Sequence, residues 1–329
     1  MPSPPIDRYH RRIDYLRISI TDRCNLRCIY CMPPEGVPRL RHEDILSYEE
    51  IIRLVKLAVR IGISKVRITG GEPLVRRDVV YLCKEISSIT DVSSISITTN
   101  GVRLAEFAEP LYKAGIKRIN VSLDTLKRER FLKITRRDAF ELVWEGILEA
   151  YRIGFHPIKI NVVAMAGIND DEIEELAMLT YRYPFHIRFI EFMPLHSEAK
   201  LECFLSGDEI LARLRRIGSL EPATSLHTNG PAKHYKFHGA LGKIGINSPL
   251  SHHFCSTCNR LRVTADGKLR TCLFATKETD LKVLLRNGAS EDQIIAVVRN
   301  AISQKPKEHN LDKSLFRKCL SRPMSSIGG

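Results

Sequence analysis

The chain has 329 residues, 43% hydrophobic and 27% charged, which is enough apolar material for one large domain or two, with charge too scattered for extended disorder. Lys and Arg outnumber Asp and Glu by 51 to 38, a formal net charge of +13, and such a balance suits an anionic partner: nucleic acid, a membrane surface or a phosphorylated small molecule. No basic block is long enough for a nucleic-acid tail, the opening MPSPPIDRYHRR lacks a signal peptide's apolar core, and no apolar run approaches the roughly 20 residues that cross a bilayer.

The first strand-like run is YLRISI (15–20), followed by KVRIT (65–69), SISITT (94–99), RINVSL (118–123), IKINVVA (158–164) and HIRFIEFM (186–193). Helical periodicity fills the gaps. SYEEIIRLVKLAVRIG opens with the capping-box pair Ser47 and Glu50 and closes at Gly62. Further helices are expected after Asp78, over 104–114, over 139–152 and after Asn169. Six strand–helix repeats with short loops imply parallel strands and right-handed crossovers. An open sheet or a barrel would both fit, and helices after nearly every strand favour an incomplete (β/α)6 barrel of the triosephosphate-isomerase type. In such folds chemistry gathers at the C-terminal ends of the strands. Near residue 225 the texture changes to Gly-, His- and Ser-rich loops and hairpins. The expected division is a partial barrel over 1–225 and a smaller module over 226–329, ending in helices near 281–286 and after Ser290.

Of nine cysteines, six form two triples. A soluble, cytoplasmic chain keeps thiols reduced, so clustered cysteines read as metal ligands. The stretch DRCNLRCIYCMPP (22–34) places Cys24, Cys28 and Cys31 directly after the first strand. Their spacing suits an iron–sulfur cluster with one iron left open, or zinc with a distant fourth ligand such as His42. The second triple, Cys255, Cys258 and Cys272, allows the same two readings, with His252 or His253 as the missing zinc ligand. Cys83, Cys203 and Cys319 lie alone and read as passive thiols.

Five cations sit inside apolar strands: Arg17, Lys65, Arg67, Lys159 and Arg188. Any one of them reads most simply as half of an ion pair. Together they argue for an anion in a barrel lumen, because strand-borne cations hold a polyphosphate stiffly. Arg260 and Arg262 alternate just after Cys258 and can reach one side of whatever the second triple holds. Gly70-Gly71-Glu72-Pro73 ends the second strand, where glycines let the backbone approach a ligand closely. Asn100-Gly101 reads as a turn.

With the CxxxCxxC loop, Tyr30 between its last two cysteines, and GGEP about 40 residues on, the chain resembles the radical S-adenosylmethionine (SAM) enzymes. The second triple in the form CxxCNRLR…C, the ITTNG segment and the terminal Gly-Gly make it similar, over essentially its whole length, to that superfamily's GTP 3′,8-cyclase family. The resemblance implies a partial barrel and two [4Fe–4S] clusters, one per triple. It implies SAM contacts at Tyr30, Gly71, Ser122 and Met193. GTP contacts fall on Arg17, Arg67, Thr98, Lys159, Arg260, Leu261 and Arg262, with Lys65 and Arg188 as further candidates. It assigns Arg17 and the terminal Gly328 and Gly329 to the catalytic step. There a 5′-deoxyadenosyl radical takes the ribose C3′ hydrogen of GTP and the sugar radical attacks guanine C8, the first step of molybdenum cofactor biosynthesis. Implied partners are GTP, a flavodoxin- or ferredoxin-like electron donor, and the cyclic pyranopterin monophosphate synthase that takes the product, with no membrane, no nucleic acid, and a monomer or homodimer. Two other readings stay open at this point: a radical SAM enzyme acting on peptide or RNA, for which Cys319 would close the second cluster, and a basic zinc protein that binds nucleic acid.

Overall fold

The computed structural model describes residues 2–193, 201–223, 230–309, 322 and 324–327. Six strand–helix units follow in order: β1 (Tyr15–Ser19), α1 (Tyr48–Arg60), β2 (Lys65–Thr69), α2 (Val79–Ser87), β3 (Ser94–Thr99), α3 (Leu104–Lys113), β4 (Ile119–Ser122), α4 (Arg128–Thr135), α5 (Phe140–Ile153), β5 (Ile158–Ala164), α6 (Ile173–Arg182), β6 (His186–Glu191) and α7 (Gly207–Leu214). The rest comprises β7 (Leu220–Pro222), β8 (Lys233–Phe237), β9 (Lys243–Asn247), β10 (Arg260–Val263), β11 (Lys268–Arg270), β12 (Thr279–Asp280), α8 (Leu281–Arg286), α9 (Glu291–Ser303) and α10 (Met324–Ile327). All six expected strands form. The expected box opens α1: the Glu50 amide donates to the Ser47 hydroxyl at 3.2 Å and the Ser47 amide to the Glu50 carboxylate at 2.7 Å. The same device opens α7 from Ser206 and α9 from Ser290.

The strands form one 12-stranded sheet in the order β12-β11-β10-β1-β2-β3-β4-β5-β6-β9-β8-β7. Pairing is parallel from β10 through β1–β6 to β9 and antiparallel outside that run. The partial barrel is therefore wider than six strands. The hairpins expected after residue 225 do form, and their inner strands β9 and β10 extend the parallel sheet at its two edges. The outermost strands, β12 and β7, do not pair, so the barrel is incomplete.

Strand alternation then sorts the side chains. Leu16 and Ile18, Val66 and Ile68, Ile119 and Val121, and Ile158, Ile160 and Val162 point outward and are almost fully buried beneath the helices. Each contributes about 1.5–3 kcal/mol by leaving water. The alternate positions point inward and are polar: Arg17, Arg67, Thr98, Asn120, Ser122, Lys159, Asn161 and Arg188 among them. A parallel sheet covered on both faces ordinarily reads as a continuous apolar run. The polar inner face marks a lumen built for a ligand. Among the described residues no helix is long and apolar enough to cross a membrane.

Candidate active site

The loop after β1 sets Cys24, Cys28 and Cys31 at the C-terminal mouth of the lumen. The amides of Cys31 and Met32 donate to the Cys28 carbonyl at 2.9 and 3.2 Å. Arg27 donates to the carbonyls of Cys24 (2.7 Å) and Leu26 (2.8 Å), and Arg136 to those of Arg27 and Met32 (3.0 Å each). Two guanidiniums thus hold the loop's carbonyls and leave its sulfurs to the lumen. Burial pushes the Cys24 thiol up to about 11 and the Cys28 thiol well above its ordinary value. Thiolates are stable here only against added positive charge, which suits a metal centre.

What approaches Gly70 and Gly71 most closely is this loop. The Gly71 amide donates to the Thr21 carbonyl at 2.7 Å and the Glu72 amide to the Arg23 carbonyl at 2.8 Å. A Cβ on Gly71 would fall 2.3 Å from the Arg23 carbonyl oxygen. Glycine is required because two backbones are sewn together. Glu72 is buried, and burial lifts its carboxyl to about 7, against the pull of bonds from the Asn100 amide (2.6 Å), the Thr99 hydroxyl (2.7 Å) and the Leu74 amide (2.9 Å). The Asn100 side chain then donates to Asn25 at 2.7 Å and to the Cys24 sulfur at 3.7 Å. Asn100 is more than a turn residue, since it connects the third strand to the first cysteine. Tyr30 donates through its hydroxyl to Asp124 at 2.8 Å, and Asp124 also accepts from the Val163 amide at 2.8 Å.

Behind the mouth the lumen continues to the N-terminal ends of the strands, where Tyr15, Lys65, Ser94, Asn120 and Lys159 line it. Its charge is polarised. Glu72, Asp124 and Glu191 line the mouth, whereas the inner part is lined by Lys65, Arg67, Arg118, Lys159, Arg188 and Arg260 and, among the described residues, by no carboxylate. Register sets Arg262, Arg17, Arg67 and Ser96 side by side across four strands. Lys65 pairs with Asp14 at 2.8 Å, as the simpler reading of such a lysine expects. Among the described residues no ion pair neutralises Arg67, Lys159, Arg188 or Arg260. Burial, then Arg188 and Arg67, pushes Lys159 down to about 6; burial, then Arg67, brings Arg188 to about 9. Arg17 is lowered well below its ordinary value by burial and then by Arg262 and Arg67.

The second triple sits at the opposite end. Cys258 immediately precedes Asn259 and β10, which runs parallel to β1, and Cys272 follows β11, which runs back antiparallel. Chemistry therefore does not gather only at the C-terminal rim. Burial would raise the Cys258 thiol, but Lys305 and Arg260 together outweigh it and bring it below its ordinary value. For zinc, the described residues offer one group of three ligand atoms within 4.8 Å of one another, and it is His253, Cys255 and His309 rather than either cysteine triple. Tetrahedral zinc at about 2.3 Å from sulfur demands tighter gathering than either triple shows. His252 turns to Asp208 at 2.7 Å, and His42 joins no such group. The wider sulfur sets fit clusters.

Tyr30, Gly71, Ser122, Met193, Arg17, Arg67, Thr98, Arg188 and Arg260 all line the lumen, and Lys65 and Lys159 line its inner part. Leu261 differs: strand alternation turns its side chain outward into the apolar core beside Leu16 and Leu54, leaving only its backbone for a lumen contact. Gly328, Gly329 and Cys319 lie outside the described residues. Just before them, Arg322 donates to both Asp266 oxygens at 2.8 Å and pairs with Glu278 at 2.9 Å, while Met324 lines the lumen. Sequence reasoning missed Tyr15, Ser96, Asn120 and Arg118. Tyr15 lies two residues before Arg17 on the same face, with Arg67 and Arg260 5.4 and 5.8 Å from its ring. That parity was available from the sequence.

Residues 18–180 match the family model of the Radical SAM superfamily, and residues 185–311 match Molybdenum Cofactor Synthesis C. A GTP 3′,8-cyclase of Moorella thermoacetica is 50% identical over 98% of this chain and 99% of the relative. Another, from Thermodesulfovibrio yellowstonii, is 51% identical over 98% of this chain and 99% of its own length. The chain belongs to the GTP 3′,8-cyclase family. Among solved structures, Streptococcus suis SuiB bound to S-adenosylmethionine superposes with a TM-score of 0.61 at 17% identity, covering 87% of this chain and 67% of that one. At that identity the likeness speaks for the fold, a large parallel sheet of the radical SAM type. A cyclase of this family is a radical SAM enzyme that works with S-adenosylmethionine and [4Fe–4S] clusters, and the two cysteine triples are donor sets that fit them.

Two outcomes follow from this geometry. Gly71→Ala drives a methyl group into the Arg23 carbonyl, so anaerobically reconstituted protein should lose the first cluster, roughly half its iron, while the other half stays. A full iron complement would refute the close-approach reading. Burial lifts Asp124 from 3.8 to about 6, a displacement worth about 3 kcal/mol. The folded carboxyl keeps its proton to higher pH than the unfolded one, so its contribution is full below about pH 4 and lost as pH rises through 6. Asp124→Asn keeps an acceptor for the Val163 amide but puts a donor where an oxygen accepts from Tyr30, an offset that does not vary with pH; denaturant unfolding of the cluster-free chain should therefore show its difference from the wild type moving in its favour by about 3 kcal/mol between pH 4 and 7. A difference that does not change with pH would contradict this.

Proposed function

We propose that this chain converts GTP to (8S)-3′,8-cyclo-7,8-dihydroguanosine 5′-triphosphate, the first committed rearrangement of molybdenum cofactor biosynthesis. The observation that carries this reading is the lumen itself, which runs from the first cysteine triple at its mouth, through a cationic stretch, to Asn259 and Arg260 directly after Cys258 of the second. Cys24, Cys28 and Cys31 would hold one [4Fe–4S] cluster and Cys255, Cys258 and Cys272 the other. When bound, the first cluster and S-adenosylmethionine supply the hydrogen-abstracting radical.

The chain's own residues bind, orient and exclude water. Tyr30, Gly71, Ser122 and Met193 hold S-adenosylmethionine at the acidic mouth, where Glu72, Asp124 and Glu191 suit its ammonium and sulfonium charges. Arg17, Lys65, Arg67, Thr98, Lys159, Arg188, Arg260 and Arg262, with the Leu261 backbone, hold GTP. A triphosphate among these cations fixes the ribose within reach of one abstraction, which a carbon radical demands because it is indiscriminate. The catalytic role that the resemblance gives Gly328 and Gly329 is kept in this proposal, and Arg322, which precedes them in the chain, is held by Asp266 and Glu278. We place the enzyme in the cytoplasm, as a monomer or homodimer, fed by a flavodoxin- or ferredoxin-like carrier and followed by the enzyme that builds the pyranopterin.

The deciding experiment is anaerobic turnover of GTP deuterated at C3′ with S-adenosylmethionine and reductant. Deuterium should appear in 5′-deoxyadenosine alongside a new nucleotide separable from GTP, and Cys272→Ala should cleave S-adenosylmethionine without forming that nucleotide. Deoxyadenosine free of deuterium would sink the proposal. Binding has its own signature. With Lys159 near 6 in the free protein, a bound triphosphate restores its charge, so binding at pH 7 should take up about one proton and weaken as pH rises. Calorimetry in buffers of different ionisation enthalpy reads this, and Lys159→Met should abolish the uptake; equal uptake in both proteins would remove Lys159 from the phosphate site.

A further inference from the structure

Lys305 is 2% exposed and follows α9, far from the lumen cations in sequence. Its ammonium donates to the Arg260 carbonyl at 3.0 Å and to the Thr271 carbonyl. The first acceptor belongs to the Cys258 arm and the second immediately precedes Cys272, so one group bridges both arms that carry the second triple. Among the described residues no carboxylate lies within ion-pair distance of it. A buried ammonium without a counter-charge costs several kcal/mol, and the neighbour here that can become anionic is the Cys258 sulfur, whose thiolate Lys305 favours.

The segment from Lys305 to His309 is fastened around the same place. Arg11, itself paired with Asp7 at 2.6 Å, donates to the carbonyls of Cys255 (2.9 Å), Lys307 (2.9 Å) and Pro306 (2.7 Å). We propose that Lys305 is a positioning residue of the second [4Fe–4S] cluster, pinning the Cys258 and Cys272 arms and serving as the buried counter-charge that favours the cluster's reduced state. A fixed cation beside a cluster sulfur stabilises added negative charge, which raises the reduction potential. This rests on the assignment of a cluster to the second triple.

The test is a potentiometric titration of the full-length holoprotein, followed by electron paramagnetic resonance, in wild type, Lys305→Met and Lys305→Arg. The first cluster's signal, recognised by its response to S-adenosylmethionine, serves as the control for folding. Lys305→Met should move the second cluster's midpoint to a more negative value and leave the first unchanged, and Lys305→Arg should restore it. Selective loss of the second cluster in Lys305→Met with retention in Lys305→Arg would also support the proposal. An unshifted midpoint in Lys305→Met, or a Lys305→Arg protein that neither holds the cluster nor restores the midpoint, would overturn it. A wild-type protein with no second-cluster signal would instead sink the cluster assignment itself.

Discussion

Positive charge that the fold buries without cancelling is the constraint on which the rest of this molecule depends. Arg67, Lys159, Arg188 and Arg260 face one another across a lumen whose inner part is lined, among the described residues, by no carboxylate. Burial lowers Lys159, Arg188 and Arg260 from their ordinary values, a cost of several kcal/mol that the helix-facing side of the sheet must absorb. It can do so because the outward positions of the same strands are Leu, Ile and Val at near-complete burial. The sheet is thus two objects at once. One face supplies the stability, and the other holds a repulsive arrangement that only a polyanion relieves.

The mouth is the complement of that interior. Its three carboxylates are each satisfied by amides or hydroxyls, as when Glu191 accepts from the amides of Gly207, Leu250 and Ser251. These acids organise loops as well as charge. Glu72 ties the glycine segment to the third strand, and Asn100 carries that connection to Cys24. The first cysteine loop is therefore held by three successive strand ends, and its geometry is a property of the barrel rather than of the loop.

Much of this was legible in the residues. The six strands, the capping box of α1 and the inward cations follow from period-two alternation and local chemistry, which act over a few residues. The helix α4 was not seen, since its eight residues, RERFLKIT, are mostly polar and too few to show a helical period. Nor did any local pattern say that β9 and β10 would join opposite edges of the barrel, because pairings as distant in sequence as His186 with Lys243 and Tyr15 with Arg260 leave no periodic trace. That same long-range pairing puts the second triple at the far end of the lumen, where a reading based on strand ends would not place it. Lys65 shows the opposite limit: its ion pair with Asp14 is what a lone strand lysine suggests, and sequence alone could not say that this cation would meet a carboxylate.

The placement of β9 and β10 also governs how the protein is made. During synthesis β1 and β6 emerge early, yet each keeps one bare hydrogen-bonding edge until residues 243–263 have left the ribosome. Exposed parallel edges are templates for wrong pairing. The edges of the six-strand unit are thus covered only by chain made after all six repeats, so a polypeptide cut short after those repeats would carry both open edges and an unneutralised interior.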